Sequence, residues 1–148
     1  MCAHKIACMD KILHLTDRDN DFRRVYFKII SRLPKEKRKY PYPYLYAIKS
    51  RAERFYVSEK QAYEAITLLE SGKLNYKGIK YNMYSEIYKR VQKILLLKRC
   101  SKIQAVREVI YYQSAPEFYI SLRTAERIIS KHELRSNNIR KYRSLEKV

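Results

Sequence analysis

The chain is poor in the residues that make tight turns: its 148 positions hold two glycines and four prolines. A many-stranded sandwich or barrel needs turn residues about every ten positions, so that class is excluded and helices joined by short loops remain. No apolar run approaches the roughly 18 to 20 residues of a membrane-spanning helix. The start, Met1-Cys2-Ala3-His4-Lys5, has no signal-peptide hydrophobic stretch, and no membrane partner is expected. Cys2, Cys8 and Cys100 are an odd number with no export signal, which points to reduced thiols inside a cell rather than a disulfide scaffold.

The same scarcity bears on chemistry. Neither Gly72 nor Gly78 belongs to a phosphate-cradling loop, and no G-x-S-x-G or H-E-x-x-H occurs, so no enzyme is expected. Cys2, His4, Cys8 and His14 are spaced C-x-H-x3-C-x5-H rather than C-x2-C, and zinc is rejected. Asp17, Asp19 and Asp21 alternate as in a calcium loop, but Phe22 stands where glycine is required and Lys28 where glutamate should close it. These acids are instead expected at a helix N-terminus, offsetting its dipole. His132 follows the inward face of the last helix and is expected to be packed. No cofactor and no metal are implied.

What the chain has in excess is positive charge. Thirty-three Lys and Arg against 15 Asp and Glu leave +18, with 46% hydrophobic residues to build a core. Such an excess opposes folding through self-repulsion, and a polyanion is the usual reason to carry it. Up to Ser71 there are 15 basic and 9 acidic residues, or +6; from Gly72 on there are 18 and 6, or +12. The C-terminal half is therefore the stronger candidate for an anion-binding face.

Hydrophobic spacing predicts an all-α protein. A helix is expected from about Asp17 to Leu33, with Thr16 and Asp19 as a capping box. A short helix near Leu45–Arg51 follows the basic loop from Pro34 to Lys39, and Ser58 caps a helix to about Glu70, ended by Ser71-Gly72. Asn75 to Asn82 reads as a linker. Further helices run from about Tyr84 to Lys98, from Ser101 to Tyr112, and from Ser121 to about Leu134. The segments 1–16 and 135–148 are expected as tails, the second basic and frayed.

Overlaying the halves at an offset of 63 reveals an internal repeat. Phe55-Tyr56-Val57-Ser58 meets Phe118-Tyr119-Ile120-Ser121, Ala52 meets Ala115, Ala62 meets Ala125, and Ile66 meets Ile129. With one residue of slippage Val25-Tyr26 meets Ile87-Tyr88. The expected architecture is two related three-helix, helix-turn-helix-like units, 17–72 and 83–134, packed in one compact body. The second motif, Ala115-Pro116-Glu117-Phe118-Tyr119-Ile120-Ser121 with Ala125 and Ile128-Ile129, resembles one in small basic proteins of phages and mobile elements of gut bacteria. There, too, it recurs at about this spacing. The resemblance spans roughly Phe22 to His132, and the first copy departs from it because Arg51-Ala52-Glu53 lacks the proline. It implies a phage or mobile-element setting and carries no functional residue across.

A helix-turn-helix unit reads DNA with the exposed N-terminal part of its last helix. In the second copy the outward positions are Leu122, Arg123, Thr124, Arg127, Ser130 and Lys131, and Arg135, Arg140, Lys141 and Arg143 follow along the tail. The first-copy counterparts are Glu59, Lys60, Gln61 and Glu64, of which Lys60 and Gln61 remain candidates. Two carboxylates there repel phosphate, so the second copy is expected to bind more strongly. The turn from Ser114 to Ile120 exceeds the usual three to four residues, and a helical hairpin with a solvated basic face is the plain alternative. Tyr40, Tyr42, Tyr44 and Tyr46 beside Lys35, Lys37, Arg38 and Lys39 suggest a stacking surface for single strands; most other tyrosines are expected as half-buried core. The expected partner is nucleic acid, duplex DNA first, met in the host bacterial cytoplasm. The rival is a phage assembly protein in the virion, its basic face toward packaged nucleic acid or acidic phage structural proteins.

Overall fold

The computed structural model describes residues 3–145, and the side chains of 13–136. Among these the chain is all-helical. Six α-helices follow in order: α1 Ala3–Arg32, α2 Tyr42–Ile48, α3 Glu59–Glu70, α4 Ile79–Leu97, α5 Lys102–Tyr112 and α6 Leu122–Leu145. A single 3-10 turn, Lys35–Lys37, lies between the first two.

Local chemistry explains most of the helix ends. The Ser58 and Ser121 hydroxyls accept the backbone N–H groups of Gln61 and Thr124 at 3.1 and 3.2 Å. Ser101 and Gln104 form a reciprocal capping box, at 3.3 and 2.9 Å. Gly72, at φ 70°, ends α3: its N–H reaches the Leu69 carbonyl and the Lys73 N–H that of Leu68, which satisfies two carbonyls the helix leaves open. Pro34, locked out of a helix interior, stops α1.

Other ends differ from expectation. Thr16 and Asp19 do not start α1, which runs unbroken from Ala3 because nothing between there and Leu33 is glycine or proline. The acids Asp17, Asp19 and Asp21 thus lie in mid-helix rather than as dipole caps, and two of them take ion-pair partners: Asp19 holds Arg18 at 2.8 Å and Asp21 takes Arg24. Half of the expected 75–82 linker is the first turn of α4, because Gly78 at φ 64° turns the chain directly into a helix. The prolines place α2 earlier than expected, with Pro43 in its first turn. The tail beyond Arg135 continues α6 as helix rather than fraying.

The core joins residues from every helix, and the repeat is legible in it. Ala52, Phe55, Val57, Ala62, Ala65 and Ile66 are buried, and so are their counterparts Ala115, Phe118, Ile120, Ala125, Ile128 and Ile129. The two copies meet through equivalent residues. Ala52 and Ala115 exchange both backbone hydrogen bonds, at 3.0 and 3.1 Å, and Arg51 donates to Ser114 at 2.8 Å. Phe55 stacks on Tyr119 at 6.2 Å between centroids, while Tyr56 stacks on Phe118 at 6.1 Å. A contact in which residue i meets j and the equivalent of j meets the equivalent of i is what a two-fold relation produces.

Packing adds what periodicity does not show. α3 packs on α4 and α5, and α6 packs on α1 and α2. Among the described residues no comparable packing joins α3 to α1 or α2, or α6 to α4 or α5. The helices fit two three-helix groups, but each group takes its third helix from the other half of the sequence. The extended segments through Ala52 and Ala115 cross side by side and carry α3 and α6 over. Tyr119, at φ 52°, holds a left-handed conformation that costs a non-glycine residue of order 1 kcal/mol.

Candidate nucleic-acid interface

The buried stripe of α6 is Ala125, Ile128 and Ile129, which turns the opposite face outward. Arg123, Arg127, Lys131 and Arg135 are exposed, and none has an ion pair or hydrogen bond to a described residue. The acids of α6 are drawn to other sides. Glu126 takes the Tyr40 hydroxyl, an interaction that raises the Tyr40 pKa, and Glu133 lies close enough to Tyr26 to add to the rise there. Thr124 is only half-buried, but its N–H and hydroxyl are both occupied by Ser121, at 3.2 and 3.0 Å, so it serves the cap. The side chains of Arg140, Lys141 and Arg143 lie outside the described residues; the backbone carries them as the last turns of α6.

The equivalent helix α3 has a different electrostatic fate. Glu59 takes Arg107 at 2.8 Å, Glu70 takes Lys102 at 2.8 Å, and Lys60 faces Glu64 at 4.0 Å. Lys102 also stands over the Tyr63 ring, 4.9 Å from its centroid. The charges of α3 are therefore answered by α5 and by α3 itself, while those of α6 are left open. Gln61 is half-buried and lines a cleft where the two copies meet rather than the outer face.

The group that holds α6 is basic elsewhere too. Lys28 and Arg32 on α1 and Lys35, Lys37 and Lys39 before α2 are exposed. The tyrosines of 40–46 divide: Tyr42 and Tyr46 are exposed, whereas Tyr44 packs on Tyr26 at 4.9 Å and belongs with the core. His132 packs as expected, half-buried with its ring 5.3 Å from Phe27.

Sequence reasoning did not single out the cleft at the junction of the copies. Its walls include Arg18, Arg54, Tyr76, Lys80 and Tyr84. Arg54 donates to His14 Nδ1 at 2.7 Å, which requires the imidazole neutral with its proton on Nε2, and lies 5.7 Å from the Tyr111 ring centroid. Burial pushes the Tyr84 and Tyr119 hydroxyls up to about 12, so both stay protonated donors. The usable signal was the repeated Phe-Tyr-aliphatic-Ser motif itself, since a motif at a two-fold contact brings both copies of its neighbours together. The side chains of Cys2, His4 and Cys8 lie outside the described residues.

Among the described residues no helix is long and apolar enough to cross a membrane. Comparison of the chain with family models, curated proteins and solved structures finds no match.

Proposed function

We propose that this protein is a nucleic-acid binder rather than an enzyme, and that it holds duplex DNA through the outer face of α6. The observation that carries the reading is the contrast between the two equivalent helices. Arg123, Arg127, Lys131 and Arg135 are exposed and unanswered by any described carboxylate, whereas the charges of α3 are paired. Unpaired cations keep their full attraction for phosphate, and paired ones must first give up a partner. Binding is dominated by phosphate contacts, with Arg123 and Arg127 at the N-terminal turns of α6 as the positions that meet base edges if the helix enters a groove. The resemblance of the Ala-Pro-x-Phe-Tyr motif supports a phage or mobile-element setting in a bacterial host.

A salt titration of duplex binding tests this. Each neutralised phosphate contributes about −0.9 to the log–log slope, so replacing all four cations with Ala flattens it by about 3 to 4 units. Lys60→Ala, on the paired helix, leaves the slope nearly unchanged. Absence of duplex binding by the intact chain at low salt refutes the reading and leaves a phage assembly role, with acidic partner proteins, as the reading to take up.

A further inference from the structure

The cleft between the two copies lies apart from the outer face of α6 and has its own chemistry. Its volume is about 240 Å³, below the range of about 300 to 1,000 Å³ usual for drug-sized ligands. The walls come from both halves of the chain: His14 and Arg18 on α1, Tyr76 and Lys80 where α4 begins, and the Phe55–Tyr119 and Tyr56–Phe118 stacks. The cations of the two halves are not equally free. Arg18 is spent on Asp19, through both Nε and a terminal nitrogen. Lys80 has no carboxylate among the described residues and stands 5.4 Å from the Tyr76 ring centroid. Arg54 likewise has no described carboxylate; its partners are His14, the Phe55 carbonyl and the rings of Tyr56 and Tyr111. Among the described residues the one acid that lines the cleft, Glu117, is held by Lys49 at 2.7 Å.

We propose that this cleft binds a single nucleotide unit, its phosphate on Lys80 and Arg54, its base against Tyr76 and its base edge on the Gln61 amide. Two cations of one cleft without described carboxylate partners meet an anion without first giving up an ion pair. Tyr76 is 43% exposed and pairs with Tyr84, 5.3 Å away between ring centroids, so that the two rings offer an aromatic wall for a base. The Gln61 side chain has no described partner, and its amide both donates and accepts, which suits the edge of adenine. A free mononucleotide and the phosphorylated end of a strand offer the same groups.

The test is calorimetry on the full chain with adenosine monophosphate, adenosine, inorganic phosphate, and a short single strand with and without a 5′-phosphate. Adenosine monophosphate binds more tightly than either of its parts. Lys80→Ala and Tyr76→Ala each weaken it about tenfold, the loss of one charged or stacking contact. Both positions are exposed, so the fold survives, which a thermal melt verifies. Lys89→Ala, an exposed cation of α4 outside the cleft, and Arg127→Ala on α6 leave it unchanged. The inference therefore stands or falls apart from the α6 reading. A strand that binds better with its phosphate, and loses that preference with Lys80→Ala, identifies a strand end as the source; a mononucleotide that outbinds the strand identifies the free ligand. No binding of the monophosphate at millimolar concentration, or binding indifferent to both substitutions, overturns the proposal.

Discussion

Ile66 is wholly buried on α3, and truncating it leaves a cavity that tests the exchange of helices. Ile66→Ala costs about 2 to 5 kcal/mol, the transfer free energy of the lost carbons plus the cavity they leave. At about 2 to 4 °C per kcal/mol for a chain of this size, the melting temperature falls by about 4 to 20 °C. Ile129→Ala, at the equivalent position of α6, does the same. The exchange itself is read from coupling. Since α3 packs on α5, Ile66→Ala combined with Val106→Ala merges two losses in one packing group, and the pair departs from additivity by about 0.5 to 3 kcal/mol. Combined with Ile129→Ala, in the other group, Ile66→Ala adds within about 0.5 kcal/mol. Equilibrium urea unfolding of the single and double variants measures both cycles. The reasoning is refuted if Ile66 couples to Ile48 on α2 and simply adds to Val106, because α3 then folds back on its own half.

Two further outcomes follow from the core. Ala62 and Ala125 are fully buried at equivalent points of α3 and α6, so replacing either with Leu overpacks its site and costs roughly 1 to 3 kcal/mol; unchanged melting temperatures for both contradict the shared core. Buried tyrosines make stability fall in strong base. Unfolded chains release tyrosine protons near pH 10, whereas Tyr84 and Tyr119 keep theirs to about 12 in the fold. As pH rises from 10 to 12 the unfolded state has lost protons that the folded state still holds, and stability declines. Denaturant unfolding across this range should show a shallower decline for Tyr84→Phe than for the native chain, and equal slopes would contradict the assignment.

Much of the fold was legible in the order of residues, because its causes are local. Apolar positions three and four apart, the serines at 58, 101 and 121, and Ser71-Gly72 each act within one turn of chain, and the helices they predict are present. The repeat was legible too, since equivalent positions share a burial requirement whatever they touch. The start of α1 was not, because a good capping pair at Thr16 and Asp19 carries no weight when the chain before it is also helical.

For the site, the excess of cations and its skew toward the second half belong to the sequence by itself, as does the stripe that turns Arg123 and Arg127 outward. Which cations stay unpaired was decided by tertiary structure alone. Glu59 and Glu70 are neutralised by Arg107 and Lys102, residues 48 and 32 positions away, because α3 crosses to lie on α5. The same crossing sets Gln61, Arg54, Tyr76 and Lys80 around one cleft. Spacing along a helix records which face a residue shares, but not which helix that face will meet. Pairing depends on that second fact, because an ion pair needs its partners within about 4 Å.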